Sequence, residues 1–357
     1  MNRDPVCGMD VISKDITSEI DGKQFFFCSE GCKDQFLNAP DKFSQEYVYD
    51  LVIIGGGPAG LTAAVYASIS RMDTFLITKD IGGQAIDSSK IKNYMGFDFI
   101  TGQDLTDKFR SQFLHEHFLI HKIDEIVKIE KENGCFIIKL KEGDNVISKA
   151  VVIATGMKKR KLGIKGEEKL QRKGISYSSV QDISLFAGMD VVVIGGGNSG
   201  VQTANDLKNI CNRVVIVAKG SLIADKKDIE CLGEGKGVEI LDKHDVLEIL
   251  GEDKVEGIVV KPEERGDAKT ISCQGVFIQV GFLPNTEFCR DIINLNEKGE
   301  VIINPDCSTN VDGIFACGDV TNAYGKRIVI ASGEGAKAVL RAREFLLKKR
   351  RDQKHPR

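Results

Sequence analysis

No run of eighteen apolar residues occurs anywhere in the chain, and Met1–Pro5 is polar. A membrane-spanning helix needs about twenty apolar residues in a row, and a secretory leader needs an apolar core. Neither is therefore expected, and a soluble, cytoplasmic protein is. No excess of one charge exists either: 49 basic residues face 52 acidic ones. That balance argues against a nucleic-acid-binding surface. The ten cysteines include no Cys-x-x-Cys pair. Cys135, Cys211, Cys231, Cys273, Cys289, Cys307 and Cys317 are scattered singly and read as small buried apolar residues in a reducing compartment. What is present is bulk: 357 residues, 42% of them hydrophobic, enough for two or three domains with real cores.

The chain is organised around Tyr49–Gly60. Residues 49–54 are a short, mostly apolar run rich in branched side chains, the pattern of a buried parallel strand, and Gly55-x-Gly57-x-x-Gly60 follows, with Pro58 and Ala59 inside it. Leu61–Ile69 then reads as helix. Gly55 permits the turn, Gly57 admits a pyrophosphate, and Gly60 lets helix pack on strand. The helix N-terminus presents free N–H groups to that anion. A second strand, Thr74–Thr78, leads to Asp80, about twenty residues past the glycines, where an acid takes a ribose hydroxyl. Gly82, Gly83 and Gln84 form another turn, Asn93 follows, and a helix is expected from Gly102 to about His117. His115, Glu116, His117 and His121 read as a solvated helix face rather than a second metal site, since His115 and His117 point to different sides. Ile123–Ile129, Cys135–Leu140 and Val146–Ser148 suggest a small antiparallel sheet. Ala150–Gly156 returns as a buried strand whose turn contains Ala154, Thr155 and Gly156.

The fingerprint then repeats. Asp190–Gly200 carries Gly195, Gly197 and Gly200 at the same spacing, with Asn198 and Ser199 between them. Two such units mark a two-dinucleotide flavoprotein, one site for a flavin and one for a nicotinamide donor. The next strand, Arg213–Val217, ends at Lys219 rather than an acid, which suits the 2′-phosphate of NADPH, although NADH stays open. Gly275–Gly281 closes this unit. Val301–Ile303 and Gly313–Asp319 return to the first, where Asp319, after Gly318, can accept from a flavin ribityl hydroxyl. Lys326, Arg327 and Ile328 precede a final helix, expected from Ser332–Gly335 through Leu347, its N-terminus toward the flavin pyrimidine edge. Lys348–Arg357 is expected to be a frayed basic tail.

Residues 1–45 form a separate module. A knuckle at Asp4–Met9 carries Cys7, a short strand at Gly22–Cys28 follows, and a helix opening at Ser29 would put Cys28 and Cys32, four apart, on one side. So short a segment lacks a sufficient core, and metal is a common remedy; three thiolates favour zinc or copper. With no histidine before His115, a water or a carboxylate must complete the set. The Asp-Pro-Val-Cys-Gly-Met start and Phe-Cys-Ser-x-x-Cys centre resemble the YHS family of small metal-binding modules.

From residue 48 to about 347 the sequence resembles the thioredoxin reductase family, and looks closest to the flavoprotein subunit of alkyl hydroperoxide reductase. The shared residues are Gly55–Gly60, Gly82–Gln84, Ala154–Gly156, Gly195–Gly200, Gln279–Asn285, Cys317–Asp319 and Ala331–Ala336. The resemblance implies an α/β fold of two Rossmann-like, three-layer ββα domains and a homodimer. An NAD(P) domain, 161–280, is inserted in a split FAD domain, 48–160 and 281–347, with the metal-binding module ahead of it. It also implies bound FAD, NADPH or NADH as donor, and domain rotation between donor and acceptor. One departure matters. Where the family carries its redox Cys-x-x-Cys, this chain has Ser178 and Gln181, and a serine hydroxyl neither cycles redox states nor attacks disulfides. Electrons from NAD(P)H are thus expected to pass from FAD directly to an acceptor: a ferredoxin- or flavodoxin-like carrier, a quinone or oxygen, or a metal. Two alternatives stay open, disulfide reduction through Cys7, Cys28 or Cys32, and a redox-responsive metal sensor or metallochaperone. The basic residues Lys158–Lys161, Lys165, Lys169, Arg172 and Lys173 read first as a solvated surface, and second as a site to steer an acidic carrier.

Overall fold

A computed structural model describes residues 3–13, 15–20, 22–88, 91–114, 119–177, 183–233, 237–264 and 266–354. The chain forms two compact units, one of Met1–Met157 with Pro284–Arg357 and one of Lys158–Leu283.

The first unit begins with the module. Strands β1 (Thr17–Ile20) and β2 (Lys23–Phe26) pair antiparallel, and helix α1 (Glu30–Asn38) starts at Ser29, whose side chain accepts from the Cys32 N–H. Its small core is Val6, Phe27 and Phe36, with the Phe36 ring 4.7 Å from Phe25 and 5.3 Å from Phe43. The module is seated on the body that follows. Phe43 packs into both cores, Lys42 and Tyr47 both bond Asp73, and the Cys7 C=O accepts from the Ile123 N–H at 2.8 Å.

The body is built on β3 (Val48–Ile54). Alternation along β3 sends Leu51 and Ile53 into one core and Val52 and Ile54 into another, which Tyr49 joins from the start of the strand. Helix α2 (Pro58–Ile69), β4 (Thr74–Thr78), α3 (Gly102–Leu114) and β5 (Leu119–Ile123) follow. Strands β6 (Ile126–Glu132), β7 (Cys135–Leu140) and β8 (Asn145–Ile153) come next. The sheet order is β5-β4-β3-β8-β7-β6. β8 is antiparallel to β7 and parallel to β3, so the expected short antiparallel strand and the buried return strand are one element. Its first half alternates in burial and its second half is wholly buried, which is why the sequence reads as two strands. The expected strand Ile123–Ile129 is likewise corrected: β5 ends at Ile123 beside β4, and β6 begins at Ile126. His121 therefore stands on a strand, its ring 5.2 Å from that of Phe113, while His115, Glu116 and His117 lie outside the described residues.

Short strands β9 (Met157–Lys159) and β10 (Ile175–Ser176) precede the second fingerprint. In the second unit β11 (Asp190–Ile194), α4 (Asn198–Leu207), β12 (Arg213–Val217), α5 (Lys226–Gly233) and β13 (Val238–Leu241) repeat the strand–helix alternation. Strands β14 (His244–Leu250), β15 (Gly257–Pro262) and β16 (Lys269–Ser272) form an antiparallel layer. β17 (Gly275–Ile278) completes the parallel sheet β10-β17-β11-β12-β13, and β18 (Phe282–Pro284) carries the chain onward.

Back in the first unit, β19 (Ile314–Ala316) adds to β8, while Val301 makes only isolated bridges, to Leu295 and Thr321. The final helix α6 spans Ile328–Lys354, four residues earlier than the expected start and well into the expected frayed tail. The extension has partners: Lys349 donates to the Gly134 C=O at 2.7 Å and Arg350 to Asp50 at 2.7 Å. Basic residues in the last turns also suit the helix dipole.

Candidate functional site

The first cradle follows from local sterics. Gly55 sits at φ +115°, and a Cβ there would lie 2.3 Å from the Ala154 oxygen. A Cβ on Gly60 would come within 1.8 Å of the Gly55 oxygen, so only glycine lets α2 start this close to β3. Gly57 differs, because a Cβ there meets nothing within 4 Å. The space before it is open, and no side chain caps the α2 N-terminus at Gly57–Pro58. An anion-sized gap in front of free N–H groups fits a pyrophosphate. Asp80 is held beside this turn. Its N–H donates to Thr78 Oγ1 at 3.3 Å, and its carboxylate accepts from the Gly83 N–H at 3.1 Å.

On the far side, Thr155 Oγ1 donates to the Asn285 C=O at 2.7 Å and Asn285 Nδ2 donates to the Thr155 C=O at 2.9 Å. Gln84 donates to the Met157 C=O. In the sequence Asn285 is only the last residue of a shared motif, so its fixing of the Ala154–Gly156 turn emerges only with coordinates. The Gly318 N–H donates to Glu334 at 2.7 Å, tying the turn before Asp319 to α6. Burial pushes both the Asp319 and Glu334 carboxyls up. Lys326 is spent within the chain, donating to the Thr321 C=O and lying 3.2 Å from Glu300. Arg327 is exposed and donates to the Lys326 C=O at 3.0 Å, and Ile328 opens α6. Asn93 is exposed on the loop between Ile91 and Ile100.

The second cradle has the same build. Gly195 has φ +133°, a Cβ on Gly200 would meet the Gly195 oxygen at 2.0 Å, and Gly197 faces open space. No side chain caps α4, Asn198 Oδ1 accepts from the Asp225 N–H at 2.8 Å, and Ser199 is exposed on the first turn. Lys219 lies 3.2 Å from Asp245, a residue that sequence reasoning did not single out. Lys165 and Lys169 of the basic stretch are paired with Glu248 and Glu252. Ser178 and Gln181 lie outside the described residues.

In the module, Cys7 and Cys28 Sγ are 3.4 Å apart, and Cys28 and Cys32 Sγ 3.7 Å. Asp4 joins them, all four ligand atoms lying within 4.8 Å of one another. Among the described residues this is the one group of its kind. The fully buried Asp4 carboxylate also accepts from three backbone N–H groups: Val6 at 2.8 Å, Cys7 at 3.2 Å and Cys28 at 2.7 Å. Its signal was in view as the Asp of Asp-Pro-Val-Cys, but nothing in the spacing reveals a bond to Cys28. Burial, with Asp4 nearby, pushes the Cys28 thiol up to about 11. A hydrogen bond with Cys7 and then burial push Cys32 up as well. Without a cation Cys28 and Cys32 keep their protons; a soft metal would displace them.

Two open glycine cradles on parallel sheets define a two-dinucleotide oxidoreductase. Residues 49–335 match the family model described as pyridine nucleotide-disulphide oxidoreductase, and residues 3–47 match that of the YHS domain. The chain belongs to the pyridine nucleotide-disulphide oxidoreductase family. It is similar to the alkyl hydroperoxide reductase F subunits of Staphylococcus epidermidis (38% identical over 313 residues) and Staphylococcus aureus (39%). Each match covers 86% of this chain, which spans 61% of the length of those relatives. Among solved structures it resembles the thioredoxin reductases of Lactococcus lactis (TM-score 0.77) and T. acidophilum (0.74), each 33% identical. These cover 84% and 85% of this chain and 99% of each reductase. FAD and NAD(P)H are the groups that this family and the two cradles fit. Among the described residues no helix is long and apolar enough to cross a membrane.

Proposed function

We propose that this chain accepts a hydride from NADH or NADPH on FAD and passes the electrons straight from the flavin to an acceptor outside the chain. The observation that carries this reading is a contrast: both glycine cradles face open space, yet the chain contains no Cys-x-x-Cys, Ser178 and Gln181 being the residues that the resemblance sets at the family's redox positions. Bound FAD would supply the conversion between two-electron hydride chemistry and one- or two-electron delivery. The chain's residues bind and orient it. Gly55, Gly57 and Gly60 admit the pyrophosphate to α2, Asp80 takes the adenosine ribose, and Asp319 meets the ribityl chain. The start of α6, tied to Gly318 through Glu334, presents free N–H groups toward the pyrimidine edge. The acceptor class is a small electron carrier of ferredoxin or flavodoxin type, a quinone or oxygen. The working form is a cytoplasmic homodimer.

The module holds one zinc or copper ion through Cys7, Cys28 and Cys32. Its seat supports a structural or sensory role: Cys7 bonds Ile123 at the end of β5, and the next residue, Asp124, donates to the Thr78 C=O on the Asp80 side of the cradle. A second reading, disulfide reduction by the module's own thiols, is favoured by the 3.4 Å between Cys7 and Cys28 Sγ. Anaerobic mixing with NADH and with NADPH, followed by a screen of acceptors for flavin reoxidation, tests the proposal. No bleaching with either donor contradicts it. Disulfide reduction that disappears in Cys28→Ser would establish the second reading instead.

A further inference from the structure

In a glycine-fingerprint unit, an acid at the end of the second strand takes the adenosine ribose hydroxyls, about twenty residues past the glycines. In the second unit that place belongs to Lys219, immediately after Ala218 at the end of β12. Its ammonium is not alone: it lies 3.2 Å from the carboxylate of Asp245. Asp245 comes from β14, and the backbone fixes it there. The His244 N–H donates to the Ala218 C=O at 3.0 Å and the Lys243 N–H to the Gly220 C=O at 3.2 Å. The segment between them closes on the glycine turn. The Ile223 N–H donates to the Gly196 C=O at 2.8 Å, and the Asp225 N–H to Asn198 Oδ1 at 2.8 Å. A Cβ on Gly196 would sit 2.8 Å from the Ala218 Cβ. The end of β12, the glycine turn and the start of β14 thus form one set, which brings a carboxylate to the place where β12 supplies none.

We infer that Asp245 is the residue that selects NADH over NADPH at this cradle, an inference resting on the reading that the cradle binds a nicotinamide dinucleotide. A carboxylate accepts from both hydroxyls of an unmodified ribose. A 2′-phosphate brings nearly two further negative charges against it. Lys219, neutralised by Asp245, offers that phosphate no net attraction. Two nearby cations are engaged, Lys226 with Glu230 at 3.7 Å and Lys243 with Glu264 at 3.4 Å, while Lys261 stands across from Asp245 on β15. The lysine expected to favour NADPH is therefore half of a neutral pair whose acid half does the selecting.

The test uses FAD-loaded protein and two readouts: calorimetric binding of 5′-AMP against 2′,5′-ADP, and anaerobic flavin reduction by NADH against NADPH. Wild type should bind 5′-AMP tighter and reduce faster with NADH. Asp245→Asn, which keeps the shape and removes the charge, should tighten 2′,5′-ADP by about tenfold or more, as expected for deleting one charge at a partly exposed site. Adding Lys219→Ala to that variant should abolish the gain. Circular dichroism checks folding, and Lys219→Ala alone should keep the NADH preference. Wild type that binds 5′-AMP yet prefers NADPH, or an Asp245→Asn ratio equal to wild type, overturns the inference while leaving the oxidoreductase reading standing. Wild type that binds neither fragment and is bleached by neither donor overturns both.

Discussion

Replacing Asp4 by alanine removes one carboxylate and leaves three backbone N–H groups without an acceptor. Those bonds are 2.8, 3.2 and 2.7 Å long, and the Asp4 side chain is fully buried. An orphaned buried donor costs about 1–3 kcal/mol. The Cys28 N–H is near enough to solvent to recover part of its share, so roughly 3–6 kcal/mol is the working figure. A module of about 45 residues has on the order of 2–7 kcal/mol of stability in all. The two are comparable, so Asp4→Ala should unfold the module while the separately cored flavin body persists. Limited proteolysis of the full chain reads this directly: rapid cleavage confined to residues 3–45, with flavin absorbance and dinucleotide bleaching retained. Asp4→Asn keeps one acceptor oxygen but turns an N–H₂ group toward a donor, and should fall between. A protease-resistant Asp4→Ala protein that takes up metal like wild type would refute the argument.

The two glycine cradles should fail independently. Gly60→Ala, whose Cβ would sit 1.8 Å from the Gly55 oxygen, should purify colourless. Gly200→Ala, with its Cβ 2.0 Å from the Gly195 oxygen, should remain yellow but resist bleaching by either dinucleotide, and normal bleaching would contradict the assignment. The double variant Cys28→Ser, Cys32→Ser should carry no zinc or copper by elemental analysis yet keep wild-type flavin reduction; slowed reduction would place the module in the electron path. Burial alone would raise the Asp50 carboxyl, but bonds from Lys149 at 2.8 Å and Arg350 at 2.7 Å hold it below the usual range. A carboxyl depressed by folding adds stability above its unfolded pKa, near 4, and loses it as pH falls through the folded value. Asp50→Asn should thus lower the melting temperature at neutral pH by the equivalent of under about 1 kcal/mol, since both cations are partly exposed. The difference should vanish in acid, and a difference that persists there would contradict the ion-pair explanation.

The two-unit α/β architecture was legible because a repeated strand–glycine–helix signal is local: Gly55 and Gly195 must turn, and Gly60 and Gly200 must be small. Elements shaped by distant partners were not. β8 reads as two strands because one of its edges changes partner, from antiparallel β7 at 145–148 to parallel β19 at 151–153, while β3 runs along the other. The last turns of α6 read as a loose tail until Asp50 and the Gly134 carbonyl are seen beside Arg350 and Lys349. The same limit applies to the sites. Cys7, Cys28 and Cys32 could be gathered from spacing and motif, whereas the bond from Cys28 to Asp4 spans twenty-four positions. Lys219 could be found by counting from the glycines, but Asp245 comes from another layer and no count leads to it.

The central claim is that no sulfur couple stands between the flavin and the outside of this chain. Anaerobic titration of the purified, FAD-loaded protein with a two-electron reductant tests it most directly. The flavin should bleach fully after about one two-electron equivalent per FAD. A requirement for about two, with a thiol pair appearing as the flavin is reduced, would show a redox-active dithiol and contradict the account.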